Sequence, residues 1–377
     1  MTPRERMLVA MRNGQPDCVP AAPDMSNMIP CRLTGKPFWD IYLHHDPPLW
    51  MAYIEAVKHF GHDGWLAGLP YRLDCDLKEA EGTPAWEEAI VARTPDRIYT
   101  RFHAKAGRTR QWSDWCNVYY IADPPTCGMP LAKAGLPTDP PKRWEDVERR
   151  TSYPGMAAFQ AARERMGDRG VVLPSVGLPG LPFSPEGVYD YYDNPSKVIE
   201  RCEQQRERTV RRTRELITHK PDAILIGMSG HMIWNPEPIF RQLSLPTLQD
   251  VTALCKAAGV VSQIHCCGPE YDLVKIAANE SDLDSINPLE VPPMGDCDLG
   301  RLKREFGARI SLMGNLHTTE VMLKGTPDTV RRASKRAIDD AAEGGGFILS
   351  TGDQCGRDTP DENIFAMIET ARMYGRY

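Results

Sequence analysis

The amino-acid sequence predicts an α/β protein: a (β/α)8 TIM barrel with an antiparallel β insertion after its second strand. Three observations lead there. Eight short apolar runs recur near residues 19, 64, 171, 222, 260, 284, 309 and 346, and most are separated by stretches with helical periodicity. Strands alternating with helices build a parallel sheet, and eight such units build a barrel. Residues 71–145 break this rhythm with alternating apolar and polar positions. The length of 377 residues suits one barrel with an insertion, so residues 1–377 are read as one domain. A doubly wound open sheet is the alternative.

The elements follow in order. Residues 3–13 read as a helix with Met7, Leu8 and Met11 on one face, stopped by Gly14 and Pro16. Val19 to Asp24 reads as a short strand weakened by its prolines. Residues 47–60 are helical, with Trp50, Ile54 and Val57 on one face, and Asp63 to Leu66 is the second strand. In the insertion, 88–93, 98–102 and 118–121 read as antiparallel strands, with Gly107-Arg108 as a turn. The βα rhythm returns with strand 171–176, helix Pro195–Thr218, strand 222–227, helices at 238–243 and 247–258, strand 261–265 and helix 270–279. Strands at 284–290 and 309–315, helix 327–343, strand 347–350 and helix 360–373 complete the chain.

Composition narrows the function. A net charge of −6 and a pI near 5.9 give no basic footprint for nucleic acid. No apolar run approaches the roughly 20 residues that span a bilayer. The N-terminus leads into an amphipathic segment rather than a signal peptide, so the chain is expected in the cytoplasm. The eleven cysteines are an odd number without small-scaffold spacing and read as reduced thiols.

The chemistry concentrates at strand ends. In Val261-Ser262-Gln263-Ile264-His265-Cys266-Cys267-Gly268, a short apolar run ends in three potential metal ligands. Residues i and i+2 of an extended chain share a face, so His265 and Cys267 can aim at one point while Cys266 faces the wall. Cys355 follows the eighth apolar run in the same manner. Barrel active sites lie at the C-terminal ends of the strands. Two sulfurs and one nitrogen suit zinc and leave a fourth position open for chemistry. Glu290, on an extension of the sixth strand, is expected at or next to the metal, as ligand or catalytic carboxylate. His231 past the fourth strand is a candidate catalytic histidine, although such loop residues often only bond backbone. Met228, Trp234, His317 and Asp353 are candidate substrate contacts, against the plainer reading of core packing for the apolar pair.

Several stretches resemble one family. Arg4-Glu5-Arg6-Met7 through Pro16-Asp17-Cys18-Val19-Pro20, the His265-x-Cys267-Gly268 stretch, Leu312-Met313-Gly314-Asn315 and Pro360-Asp361-Glu362-Asn363-Ile364 are similar to the uroporphyrinogen decarboxylase superfamily. The resemblance covers nearly the whole chain and implies a barrel. That superfamily divides into decarboxylases and zinc methyltransferases of the methylcobamide:coenzyme M type. The zinc motif of the second branch maps onto His265, Cys267 and Cys355. The decarboxylase branch fits less well, because its arginine-rich N-terminal loop is matched here by residues 24–32, which hold one arginine, Arg32. Nor does Trp65 to Pro70 supply the aspartate expected near the second strand.

The expected activity is therefore methyl transfer between a small methylated molecule (a methoxylated aromatic, thiol, amine or alcohol) and a corrinoid. The resemblance implies zinc, and a corrinoid (cobalamin) carried by a partner protein. No nucleic-acid or membrane partner is expected, and a homodimer is left open. The competing readings are a decarboxylase of a smaller carboxylated substrate and a non-catalytic zinc-binding barrel.

Overall fold

The computed structural model describes every residue except Ser26, Gly107 and Arg108. The chain opens on a helix, Pro3–Met11, set by Pro3 in its first turn and by reciprocal bonds between Thr2 and Glu5 at its start. Its buried face of Met7, Ala10 and Met11 closes one end of the molecule's inner core.

The parallel strands occupy two sheets. Strand β1 (Gly64–Leu66) is introduced first. An antiparallel group follows: β2 (Glu87–Arg93), β3 (Arg97–Ala106), β4 (Thr109–Trp112), β5 (Trp115–Tyr120), β6 (Thr126–Pro130) and β7 (Glu145–Asp146). Then come β8 (Gly170–Val172), β9 (Ser175–Gly177), β10 (Ala223–Gly227), β11 (Val261–His265), β12 (Ser285–Asn287), β13 (Ser311–Leu316) and β14 (Phe347–Thr351). β1 pairs with β8, and the other parallel strands run in the order β14-β13-β12-β11-β10-β9. This is an α/β fold with parallel sheets, consistent with a TIM barrel.

Alternation along the strands divides the core. Ala223 and Leu225 of β10 join Trp65, Val171, Leu173, Val261, Met313 and Ile348 in an inner cluster. Their neighbours Ile224 and Ile226 belong to a larger outer cluster against the helices. Both faces of these strands are thus apolar, which is why they read as continuous runs. Each such side chain contributes about 1.5–3 kcal/mol by burial.

Three expected strands differ, and proline is the reason each time. The segment expected at 171–176 is two strands with different neighbours: Leu173 N–H donates to Leu66 O (2.8 Å), while Pro174 O accepts from Leu225 N–H (2.9 Å). Pro174 has no N–H to continue a ladder. The segment near residue 19 makes isolated bridges instead of a strand, Cys18 with Arg376 and Ala21 with Leu349, because Pro20 and Pro23 interrupt it. Ala21 O nevertheless accepts from Asp63 N–H (2.9 Å), so residues 20–22 lie between β14 and the residue that precedes β1. The strand expected at 284–290 stops at Asn287, where Pro288 follows and Leu289 takes a φ of 62°. Glu290 therefore lies in a loop, not on a strand extension.

Residues 87–146 form the antiparallel sheet β6-β5-β3-β2-β7, with β4 beside β3. The turn expected at Gly107-Arg108 falls outside the described residues. The stretch 24–32, read as a loop, carries a short helix at Met28–Leu33 that buries Ile29 and Cys31. Among the described residues, no helix is long and apolar enough to cross a membrane.

Candidate functional site

The site is built at the C-terminal ends of β11, β12 and β14. Gln263 of β11 points into the inner core, where its Oε1 accepts from Trp65 Nε1–H (2.6 Å). Two residues on, His265 shares that face and lies beside the Trp65 ring, with centroids 6.4 Å apart. Cys266 alternates away and is fully buried in the outer core. His265 and Asn287 are register partners, and the Asn287 amide lies 3.2 Å from His265 Nδ1. That contact fixes the ring plane and leaves Nε2 facing Asp353, 3.9 Å from its Oδ1.

Asp353 is the common neighbour. Its Oδ1 is buried and, among the described residues, has no hydrogen-bond partner. Its φ of 97° is unusual for a residue with a side chain, a form of backbone strain that tends to occur at functional sites. Thr351 Oγ1–H bonds its carbonyl at 2.7 Å and holds this turn. The Asp353 charge also reaches Cys267, Cys355 and Glu290.

Burial raises the Cys267 thiol and Asp353 adds to the shift, against the Ser229 hydroxyl and Gly230 N–H, which favour the thiolate. Burial and the charges of Asp24 and Asp353 push Cys355 up to about 12. Glu290 is raised by burial, opposed by Gly268 N–H, which donates to its Oε2 at 2.6 Å. The Glu290 loop is pinned from behind, where Glu290 N–H donates to the buried Glu270 carboxyl (3.1 Å). Among the described residues, no lysine or arginine contributes to the shifts of Cys267, Cys355 or Glu290. These are buried thiols and acids without a cation.

The donor set is one imidazole nitrogen and two thiols around an acid with an orphaned oxygen, which fits zinc in its chemistry. Among the described residues, no three His, Cys, Asp or Glu side chains already stand as a group that could hold a metal ion. The fit thus rests on donor type and on the unpartnered Asp353 Oδ1, not on a preformed cluster.

The other candidates separate. Met228 is buried and its N–H donates to His265 O (2.9 Å), while Gly230 N–H donates to Cys267 O (3.1 Å), so 228–230 is stitched to the site. Trp234 stacks on Phe183 at 10°, with centroids 6.4 Å apart. His231 is packed beside Phe183 and Phe240, its Nε2 bonded to Ser244 Oγ at 2.8 Å. His317 Nδ1 accepts from Thr319 and Glu320 N–H (3.2 and 3.3 Å) and caps a π-helical turn, Thr318–Leu323. Neither histidine is brought against Asp353. Sequence reasoning missed Asp24, Asn287 and Ser229. Applying the strand-end rule to the sixth strand would have found Asn287. The same rule points to Asp24, at the end of the first expected strand, and to Ser229, just past the fourth.

This is an α/β fold with parallel sheets, consistent with a TIM barrel, whose candidate site residues lie past strand ends. The profile of the uroporphyrinogen decarboxylase (URO-D) family matches residues 188–374, so the C-terminal part of the chain is similar to that family. The uroporphyrinogen decarboxylase of Coxiella burnetii (strain Dugway 5J108-111) is 27% identical over 140 residues, 36% of either chain. The match therefore spans about a third of the curated relative's length. Among solved structures, a methyltransferase from Methanosarcina mazei aligns over 99% of both chains with a TM-score of 0.62 and 18% identity, a likeness of fold. A B12-independent methionine synthase from Shewanella sp. W3-18-1 aligns over 94% of this chain and 98% of its own, with a TM-score of 0.43 and 13% identity, too distant to carry an argument.

Proposed function

We propose that this chain is a zinc-dependent methyltransferase that moves a methyl group between a small methylated molecule and a corrinoid, the corrinoid being carried by a separate protein in the cytoplasm. The observation that carries the reading is His265 Nε2 facing the orphaned Asp353 Oδ1 at 3.9 Å, with Cys267, Cys355 and Glu290 within reach of the Asp353 charge. The family likeness of the C-terminal part and a whole-length fold likeness to a methyltransferase support it. In this reading residues 20–22 close a (β/α)8 barrel, the antiparallel sheet is an insertion after its second strand, and the gathered side chains share one mouth.

His265, Cys267 and Cys355 would hold the zinc, which when bound supplies Lewis acidity toward a methoxy oxygen or lowers the pKa of a thiol. The chain's own residues do the rest. Asn287 sets the plane of His265, Ser229 and Gly230 favour the Cys267 thiolate, and Asp353 orients the donors. Glu290, raised by burial, would hold the proton that an oxygen leaving group needs.

Decarboxylation of a polycarboxylate is disfavoured on a specific point. Arg32, the lone arginine of 24–32, is already paired with Asp361. The test is metal analysis of the purified protein, followed by a screen of methylated compounds with cob(I)alamin. About one zinc per chain and formation of methylcobalamin are expected. Metal-free release of carbon dioxide from uroporphyrinogen at about 1 per second or more, an ordinary enzymatic rate, would overturn the reading.

A further inference from the structure

The helix Pro195–Thr218 carries many cations, and several are paired: Arg206 with Asp250 at 2.8 Å, Arg208 and Arg211 with Glu79, and Arg212 with Asp76. Arg201 differs. Among the described residues it makes no ion pair, and its Nη2 is buried without a hydrogen-bond partner. A guanidinium cannot shed its charge, so a buried N–H without an acceptor calls for an anion.

Arg201 lines a cavity of about 430 Å3 just past the ends of β9 and β10. That is within the range of small-molecule sites, roughly 300–1,000 Å3. Gln205, one helical turn on, shares the wall, and Phe183, Met228, Ser229 and His231 complete the part that matters. His231 brings no charge, since burial lowers it to about 4. Phe183, half exposed and stacked on Trp234, offers a flat apolar face. Ser229 ties the cavity to the metal-donor group, because the N–H of the next residue, Gly230, donates to Cys267 O (3.1 Å). The cavity beside Arg149 has no comparable cation, because Glu88 already holds Arg149 at 2.8 Å.

We infer that this cavity is the substrate pocket and that it takes a small aromatic carboxylate bearing a methoxy group. The carboxylate sits on Arg201, the ring lies against Phe183 and Met228, and the methoxy end is turned toward Ser229 and Cys267. This rests on the methyl-transfer reading above and narrows its substrate to an acid.

Calorimetric titration of the full-length protein with 4-methoxybenzoate and with its neutral counterpart 4-methoxybenzamide tests it. The acid is expected to bind and the amide to bind at least 10-fold more weakly, as a charge-assisted bond to arginine requires. Arg201→Gln should weaken the acid by 10-fold or more and leave the amide unchanged, Arg201→Lys should lose less, and Arg206→Gln should change neither. Thermal melts of each variant check folding. Equal binding of acid and amide to the wild type, or acid binding within 2-fold of wild type in Arg201→Gln, would overturn the inference. Arg201-dependent binding of the acid without methyl transfer to cob(I)alamin supports the pocket and sinks the methyl-transfer reading. Methyl transfer from neutral methoxy compounds, untouched by Arg201→Gln, does the reverse.

Discussion

The loops after β11 and β14 carry the same kinds of side chain as the loops after β10 and β13, and use them differently. After β11 and β14, His265 keeps one ring nitrogen toward Asp353, and the Asp353 oxygen there is unpartnered. After β10 and β13, His231 bonds Ser244 and His317 caps a helical turn, and neither is brought against Asp353. A histidine past a strand end is common currency for both structure and chemistry. What separates the two regions is whether an acid with an unpartnered oxygen faces the ring, as Asp353 faces His265.

The sharpest break of this comparison is metal content. Cys267→Ser or Cys355→Ser should remove most of the zinc, while His317→Gln, on the other side, should retain it. Far-ultraviolet circular dichroism should stay nearly unchanged in all three, because a core of this size does not depend on one metal. Full zinc in both cysteine variants, read by elemental analysis, would place the metal elsewhere.

A smaller effect is expected at Glu290. Its carboxylate braces Gly268 N–H beside Cys267, so Glu290→Gln should lower zinc affinity about 10–100-fold, the usual penalty for losing such a support. Competition with a chromophoric chelator measures it. Unchanged affinity would make Glu290 a bracket for the loop alone.

The smallest concerns His231 and sharpens the structural half of the comparison. Burial lowers its pKa from 6.5 to about 4. The unfolded chain then binds more protons than the folded one between these values, so this contribution is complete above pH 6.5 and fades as pH falls toward 4. Between pH 7 and pH 5 it loses about 2 kcal/mol, roughly. The buried Glu270, raised by its surroundings, works in the opposite sense, so the comparison must be differential. Urea unfolding of wild type and His231→Gln at both pH values should show their gap narrowing by that amount. A constant gap would mean that His231 is not held neutral by the fold.

Much of this molecule is legible from residue order. Helix Pro195–Thr218 stands at its expected bounds, and the β11 strand with its His265-x-Cys267 ending follows from alternation and strand-end position. These depend on hydrophobic period and on which residue follows the last apolar one, both local properties. The prolines at 20, 174 and 288 were visible too, yet their effect on strand limits depends on which neighbour's ladder each residue must join.

Only the tertiary structure decided the partnerships. That Asp353 faces His265, that its charge reaches Cys267 and Glu290, that Asn287 faces His265, and that Arg201 makes no ion pair among the described residues are outcomes of contacts between segments far apart in the chain. Residue type states what a side chain can bond. Whether that capacity is spent or left over depends on what the rest of the fold brings within about 3–4 Å of it.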